Sequence, residues 1–348
     1  TEAQKSYVSF QPLGVVLSIM PWNFPFWQLM RFGIPAILAG NGVILKHAET
    51  TTGCALLIEE IFSQAGVPKN LFRTIVVDKS RMKEVIQHQG IAAVTFTGST
   101  KAGRMVAAQA GESLKKTVLE LGGSDPYLIL EDADIANAAE ACASSRLINS
   151  GQSCVAAKRF IVVEAVYSAF MNAFQKQLKS RKLGDPFLDD TDVGPMARVD
   201  LRDQLHQQVM ESVHKGAVLL MGGEVPTGAG AYYPITLLVD VKKGMPAADE
   251  ELFGPVASVM KVANEAEAIQ AANNSNYGLG AAVFSENVKR AERIAANELN
   301  AGCCFVNGLV KSDPRLPFGG VKNSGYGREL GEMGIREFVN AKTVYIAD

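Results

Sequence analysis

The sequence predicts an α/β protein with two domains, each organised around a largely parallel sheet. Three observations predict it. Short β-branched runs alternate with helix-length amphipathic stretches along most of the chain. No repeat or low-complexity tract interrupts that rhythm. The 348 residues, 47% hydrophobic and 20% charged, are enough for two buried cores.

In the first half the expected strands are Val15–Ile19, Gly42–Leu45, Phe72–Val77, Ala92–Thr97 and Thr117–Leu119. Between them, the stretch from Thr50 to Ala65 carries Ala55, Leu56, Ile58, Ile61 and Phe62 near helical spacing. It stops at Gly66 before Pro68, as a crossover helix packed on a sheet does. A second series follows Pro126, with strands near Tyr127–Leu130, Phe160–Val163, Ala281–Phe284 and Cys304–Val306, and helices over Val199–His214 and Ala266–Asn273. The boundary falls near Gly122–Gly123. The expected division is therefore 9–122, 123–325 and a C-terminal return over 326–348, in which Lys342–Ala347 reads as a strand.

Charge excludes some partners. Lys plus Arg number 34 against 36 Asp plus Glu, a formal net charge of −2, so no excess of positive charge neutralises nucleic acid or an anionic membrane. Apolar runs such as Val15–Met20 and Ala92–Phe96 fall far short of the roughly 20 residues a spanning helix requires. No basic segment with an apolar run behind it opens the chain at Thr1. The five cysteines, Cys54, Cys142, Cys154, Cys303 and Cys304, are odd in number and irregular in spacing, which predicts a reducing, cytoplasmic setting. The four histidines, His47, His88, His206 and His214, stand in no zinc-like spacing with them, so no metal is expected.

The chemistry concentrates in four segments. At Asn149-Ser150-Gly151-Gln152-Ser153-Cys154 a helical pattern gives way to a glycine-containing turn that can present the Cys154 thiol as a nucleophile. At Glu120-Leu121-Gly122-Gly123 a carboxylate closes a strand and two glycines let backbone approach, so Glu120 reads as a general base for a thiol or a water. Pro21-Trp22-Asn23-Phe24-Pro25 is a turn fixed by proline on both sides, and it holds the Asn23 amide where an oxyanion can be stabilised. Phe96-Thr97-Gly98-Ser99-Thr100 leaves a strand and opens a helix, an arrangement that receives phosphate. The Gly-x-Gly-x-x-Gly dinucleotide fingerprint is absent, so a dinucleotide site has to be built differently.

In order, Pro21–Pro25, Lys46-His47-Ala48-Glu49, Phe96–Thr100, Glu120–Gly123, Gly151–Cys154, Glu251-Leu252-Phe253-Gly254-Pro255 and the run Pro317–Gly325 resemble the motif series of the aldehyde dehydrogenase superfamily over essentially the whole chain. The resemblance implies an aldehyde-dehydrogenase-like fold: a parallel-sheet cofactor domain, an α/β catalytic domain and an oligomerisation strand. It implies Cys154 as nucleophile, Glu120 as base and Asn23 as oxyanion donor. It also implies cofactor contacts from Trp22, Lys46, His47, Ala48, Glu49, Gly98, Ser99, Leu121, Glu251 and Phe253. Family members carry a further N-terminal segment of the cofactor domain before the point matching Thr1, and the resemblance implies a homo-oligomer, dimer or tetramer.

Glu49 favours NAD over NADP, because a carboxylate accepts from a ribose 2′-hydroxyl and repels a 2′-phosphate. Glu120 implies water, rather than coenzyme A, as the acyl acceptor. Leu45–Ala48, Glu120–Pro126 and Gly194-Pro195-Met196-Ala197-Arg198 are most similar to bacterial succinate-semialdehyde dehydrogenases. In that group an arginine eight residues after the asparagine, here Arg31, binds the substrate's distal carboxylate, with Ser312 assisting. A second substrate arginine six residues before the cysteine is replaced by Ile148, which implies broader semialdehyde specificity. A cysteine hydrolase without dinucleotide and a catalytically silent homologue are the competing readings.

Overall fold

The computed structural model describes residues 1–347, and every absence or count below refers to those residues. The chain divides into two compact units. The first takes residues up to Leu121 together with Ser312–Gly319 and the chain from Gly325 onward; the second takes Gly122–Lys311 and Gly320–Ser324.

The first unit runs β1 (Lys5–Pro12), β2 (Val15–Met20), α1 (Pro25–Leu38), β3 (Gly42–His47), α2 (Thr52–Gln64), β4 (Phe72–Thr74), α3 (Met82–Gln87), β5 (Ala93–Thr97), α4 (Thr100–Gly111) and β6 (Lys116–Glu120). β2 pairs in parallel with β3 and β5, and β5 with β6, so the expected strands lie side by side in one sheet. Every residue of β5 is buried, as in a strand covered on both faces by crossover helices. β4 stops at Thr74 although Phe72–Val77 reads as one strand: it lies at the sheet's edge, and Val76 is 71% exposed. α1 escapes pattern reading because Gly33 and Pro35 lie inside it; burial of Leu29, Phe32 and Ala36 stabilises it in spite of Pro35.

The second unit runs β7 (Asp125–Ile129), α5 (Ile135–Leu147), β8 (Ala157–Val163), α6 (Glu164–Lys179), α7 (Val199–His214), β9 (Val218–Met221), β10 (Thr236–Val239), α8 (Pro246–Asp249), β11 (Val256–Val262), α9 (Glu265–Asn273), β12 (Gly280–Phe284), α10 (Val288–Asn297) and β13 (Cys303–Val306). Its sheet has the order β13-β12-β7-β8-β11-β10-β9, parallel except for β9. Asp134, Asn264 and Asn287 cap α5, α9 and α10 through their side chains, so these helices start where an oxygen takes the first free N–H groups. Cys303 and Cys304 alternate on β13 and, partly buried, pack against two different apolar clusters; burial pushes the Cys304 thiol up to about 11.

The chain then returns to the first unit as β14 (Gly325–Tyr326), α11 (Gly331–Glu337) and β15 (Val339–Ile346). β14 adds to β6 antiparallel, completing the order β14-β6-β5-β2-β3-β4. β15 pairs with β1 antiparallel from Lys5↔Ile346 to Pro12↔Val339. No helix is long and apolar enough to cross a membrane, and no group of three or more His, Cys, Asp or Glu side chains is placed to hold a metal ion.

Candidate active site

In the second unit the segment that carries the expected nucleophile, Cys154, follows α5 through a left-handed turn. Asn149, Ser150 and Gly151 have φ of +50°, +55° and +75° in succession. Two of them are not glycine, and such backbone costs about 1–2 kcal/mol per residue unless the surroundings fix it. They do fix it. Ser150 Oγ donates to Gly194 O at 3.0 Å, Ala197 N donates to Gln152 Oε1 at 2.8 Å, and Arg146 Nη2 donates to Gly151 O at 2.6 Å. The Gly194–Ala197 segment is thus a brace for the turn. Gly151 is required twice over, by its φ and because a Cβ would lie 2.3 Å from the Gly254 backbone. Cys154 emerges from this turn only partly buried, whereas Cys142 on α5 is fully buried with its thiol pushed well up by desolvation.

Glu251 lies beside this loop. Gly123 N donates to its Oε1 at 2.9 Å, and the Lys158 ammonium is 3.7 Å from the same oxygen. A side chain at Gly123 would meet Cys154 O at 2.7 Å, so the second glycine of the Glu120 motif lets two backbone segments touch. Burial raises the Glu251 carboxyl, and Lys158 opposes that rise.

In the first unit, Glu120 ends β6 at 2% exposure, and neither carboxylate oxygen has a hydrogen-bond partner. Burial raises its pKa well above the ordinary range, Glu329 adds to the rise, and Arg31 and Arg328 oppose it. Gly319 leaves room for it, since a Cβ there would lie 2.7 Å from Glu120 Oε1. Arg31 has a partner that sequence reading did not assign: it forms an ion pair with Glu329, with its guanidinium 4.3 Å from the centroid of the Phe318 ring. Arg31 and Glu329 are 3% and 2% exposed. Ser312 Oγ accepts from Trp27 Nε1 at 2.7 Å, one helical turn before Arg31 on α1, which puts both expected substrate residues along one side of that helix. Gln28 Nε2 donates to Asn23 Oδ1 at 3.0 Å and so orients the Asn23 amide.

Lys46, His47, Glu49 and Thr52 line one cleft with Ala55 and Thr74–Val77, at the ends of β3 and β4. The crevice outside the carboxyl ends of parallel strands is where open α/β sheets ordinarily bind ligands. Lys46 is 9% exposed, and Glu49 stands exposed at the cleft's rim. The His47 ring is engaged elsewhere, Nε2 with Pro25 O at 2.9 Å and Nδ1 with Thr51 Oγ1 at 3.3 Å, and burial lowers its pKa. It braces the Pro21–Pro25 turn that carries Trp22 and Asn23. Ala48 N donates to Met20 O at 2.9 Å and joins the same brace. Gly98 N donates to Glu120 O at 3.0 Å, Ser99 caps α4, and the buried Leu121 fills the space beside Gly103. Phe253 follows Glu251 on the loop before β11, half-buried.

Neither Glu329 nor Lys158 was found from the sequence. Glu329 stands in an Arg-Glu-Leu run and Lys158 beside Arg159, where charges ordinarily face solvent; only their burial singles them out.

A partly exposed thiol on a left-handed turn, a buried glutamate without a hydrogen-bond partner and a cleft at strand ends are features of an α/β enzyme. The chain belongs to the aldehyde dehydrogenase family, whose model matches residues 1–344. It is 48% identical over 344 residues to the Escherichia coli succinate semialdehyde dehydrogenase [NAD(P)+] Sad, covering 99% of this chain and 74% of that protein. It is also 48% identical to a probable succinate-semialdehyde dehydrogenase [NADP(+)] of Synechocystis, covering 100% and 76%. The succinic semialdehyde dehydrogenase of Streptococcus pyogenes, solved with NADP+, superposes at a TM-score of 0.97 with 38% identity, covering 100% of this chain and 76% of that one. The protein is accordingly an enzyme that oxidises an aldehyde to a carboxylic acid with a nicotinamide dinucleotide.

Proposed function

We infer that the substrate is succinic semialdehyde and the product succinate. The reading is supported by Arg31 and Ser312 lying along one side of α1, where a distal carboxylate would share the buried Arg31 guanidinium with Glu329 and the Ser312 hydroxyl with Trp27. The names of the relatives at 44–48% identity support it.

Cys154 Sγ, as thiolate, attacks the aldehyde carbon, and the Asn23 amide donates to the oxyanion that forms. A bound nicotinamide dinucleotide supplies the hydride acceptor, leaving the acyl group on Cys154 as a thioester. Lys46 and Glu49 would hold its adenosine ribose, Trp22, Gly98 and Ser99 its central part, and Glu251 and Phe253 its nicotinamide end. Glu120 takes a proton from water; the hydroxide attacks the thioester carbon and expels the Cys154 thiolate with release of the acid. Both dinucleotides serve, and Glu49 tilts the preference towards NAD. The enzyme works in a reducing cytoplasm as a homodimer or homotetramer.

Arg31→Ala is a poor test, because it strands buried Glu329 and destabilises by about 3–5 kcal/mol. Arg31→Lys keeps the charge and loses the planar fork. Absorbance growth from NAD and from NADP is followed with succinic semialdehyde and with propanal. Arg31→Lys is expected to lower kcat/KM for the semialdehyde roughly 10-fold or more, equivalent to about 1.5 kcal/mol, and to leave propanal unchanged. Equal parent rates on both aldehydes, untouched by the substitution, would remove the carboxylate assignment and leave the dehydrogenase. The 43% exposed Ile148 favours a second reading, a tolerant site that also takes glutarate semialdehyde.

A further inference from the structure

Lys158, the first polar residue of β8, is 1% exposed. Its ammonium donates to Cys154 O at 2.8 Å, Ser153 O at 3.0 Å and Ala156 O at 3.2 Å. An ammonium has three N–H donors, and here all three enter the loop that carries Cys154, an arrangement only the charged form completes. On its open side stands Glu251, 3.7 Å away, held in turn by Gly123 N at 2.9 Å. The Cys154 carbonyl is thus enclosed between Lys158 and the bare Cα of Gly123. Charged groups around the ammonium are Glu251, Arg146 on α5, Asp125 at the start of β7 and the Cys154 thiol. Desolvation works against a charge here, and a methionine would fill similar volume without it.

We propose that Lys158 is a positioning residue for the nucleophile: its ammonium fixes the Cys154 loop through three carbonyls, links that loop to Glu251, and favours the thiolate by its charge. The proposal rests on Cys154 being the nucleophile. Glu251 then acts on the thiol in the opposite sense to Lys158, so the balance of the two charges sets how much thiolate the loop holds. Dinucleotide binding, through its contact with Glu251, shifts that balance.

The test measures the rate of Cys154 carboxamidomethylation by iodoacetamide against pH, with and without NAD, by peptide mass spectrometry. Thermal melting confirms folding. In Lys158→Met the midpoint moves up by about one pH unit, and alkylation below the midpoint slows about tenfold. In Glu251→Gln it moves down, and NAD no longer changes it. kcat falls in Lys158→Met while KM for the aldehyde stays close to that of the parent. A folded Lys158→Met with the parent midpoint overturns the proposal. If that variant does not fold, Glu251→Gln decides alone, and an unmoved midpoint there overturns it equally. Dehydrogenase activity retained by Cys154→Ala would instead overturn the reading of Cys154 as nucleophile, and this inference with it.

Discussion

Glu120 shows how a single residue ties function to instability. Its carboxyl is buried with both oxygens unpartnered, so the folded protein favours the neutral acid and its pKa lies well above 4.5. The unfolded chain loses that proton near the ordinary value. Below it both states hold the proton and nothing is lost; as pH rises above it, only the unfolded state ionises, and stability falls until the folded group also titrates. Glu120→Gln is therefore expected to be more stable than the parent at neutral pH by roughly 1–3 kcal/mol, with the gain vanishing in acid below the unfolded value. Denaturant melts at several pH values measure this, and a gain that persists unchanged into acid would contradict it. The same variant should lose about 100-fold or more in turnover, since it cannot take a proton from water. Sequence showed Glu120 because two glycines follow it. It did not show Glu329, whose effect on Glu120 depends on β14 and the chain just after it folding back beside β6 from some 200 residues away.

Among elements, the turn before Cys154 carries the clearest demand. Gly151→Ala places a Cβ 2.3 Å from the Gly254 backbone at a φ of +75°. Backbone cannot yield as a flexible side chain does, so the substitution should destabilise by more than about 2 kcal/mol and remove most activity. Ser150→Gly, by contrast, relieves left-handed strain but loses the hydroxyl that donates to Gly194 O, and the two effects of about 1 kcal/mol oppose each other. Melting temperatures of both variants check the contrast; a Gly151→Ala variant as stable as Ser150→Gly would mean that the Gly254 segment moves aside. The turn was legible in part: a glycine and a change of periodicity mark it, but left-handed Asn149 and Ser150 leave no pattern. Strands buried on both faces, such as β5 and β8, were readable as apolar runs. β1 was not, because its residues are almost all exposed and alternate with no apolar face.

At the scale of the whole molecule, β1 and β15 form a two-stranded sheet that buries little of itself. Tyr7, Val8 and Phe10 on β1 and Tyr345 and Ile346 on β15 are 41–56% exposed. Each strand has one neighbour, so each presents an unpaired edge of N–H and C=O groups beside apolar side chains. Isolated two-stranded sheets are marginal in water, and exposed apolar patches of this kind are covered in assemblies. The proposed oligomerisation would cover these edges if it ran through this sheet, in which β15 pairs with β1 over eight residues in unbroken register. Replacing Val8 and Tyr345 together by Lys puts like charges on the patch without touching a core residue. Sedimentation equilibrium should then report a mass reduced from two or four chains towards one, while the circular dichroism of the α/β core is retained. A parent protein that already sediments as a single chain would end the assignment of this sheet as an assembly edge.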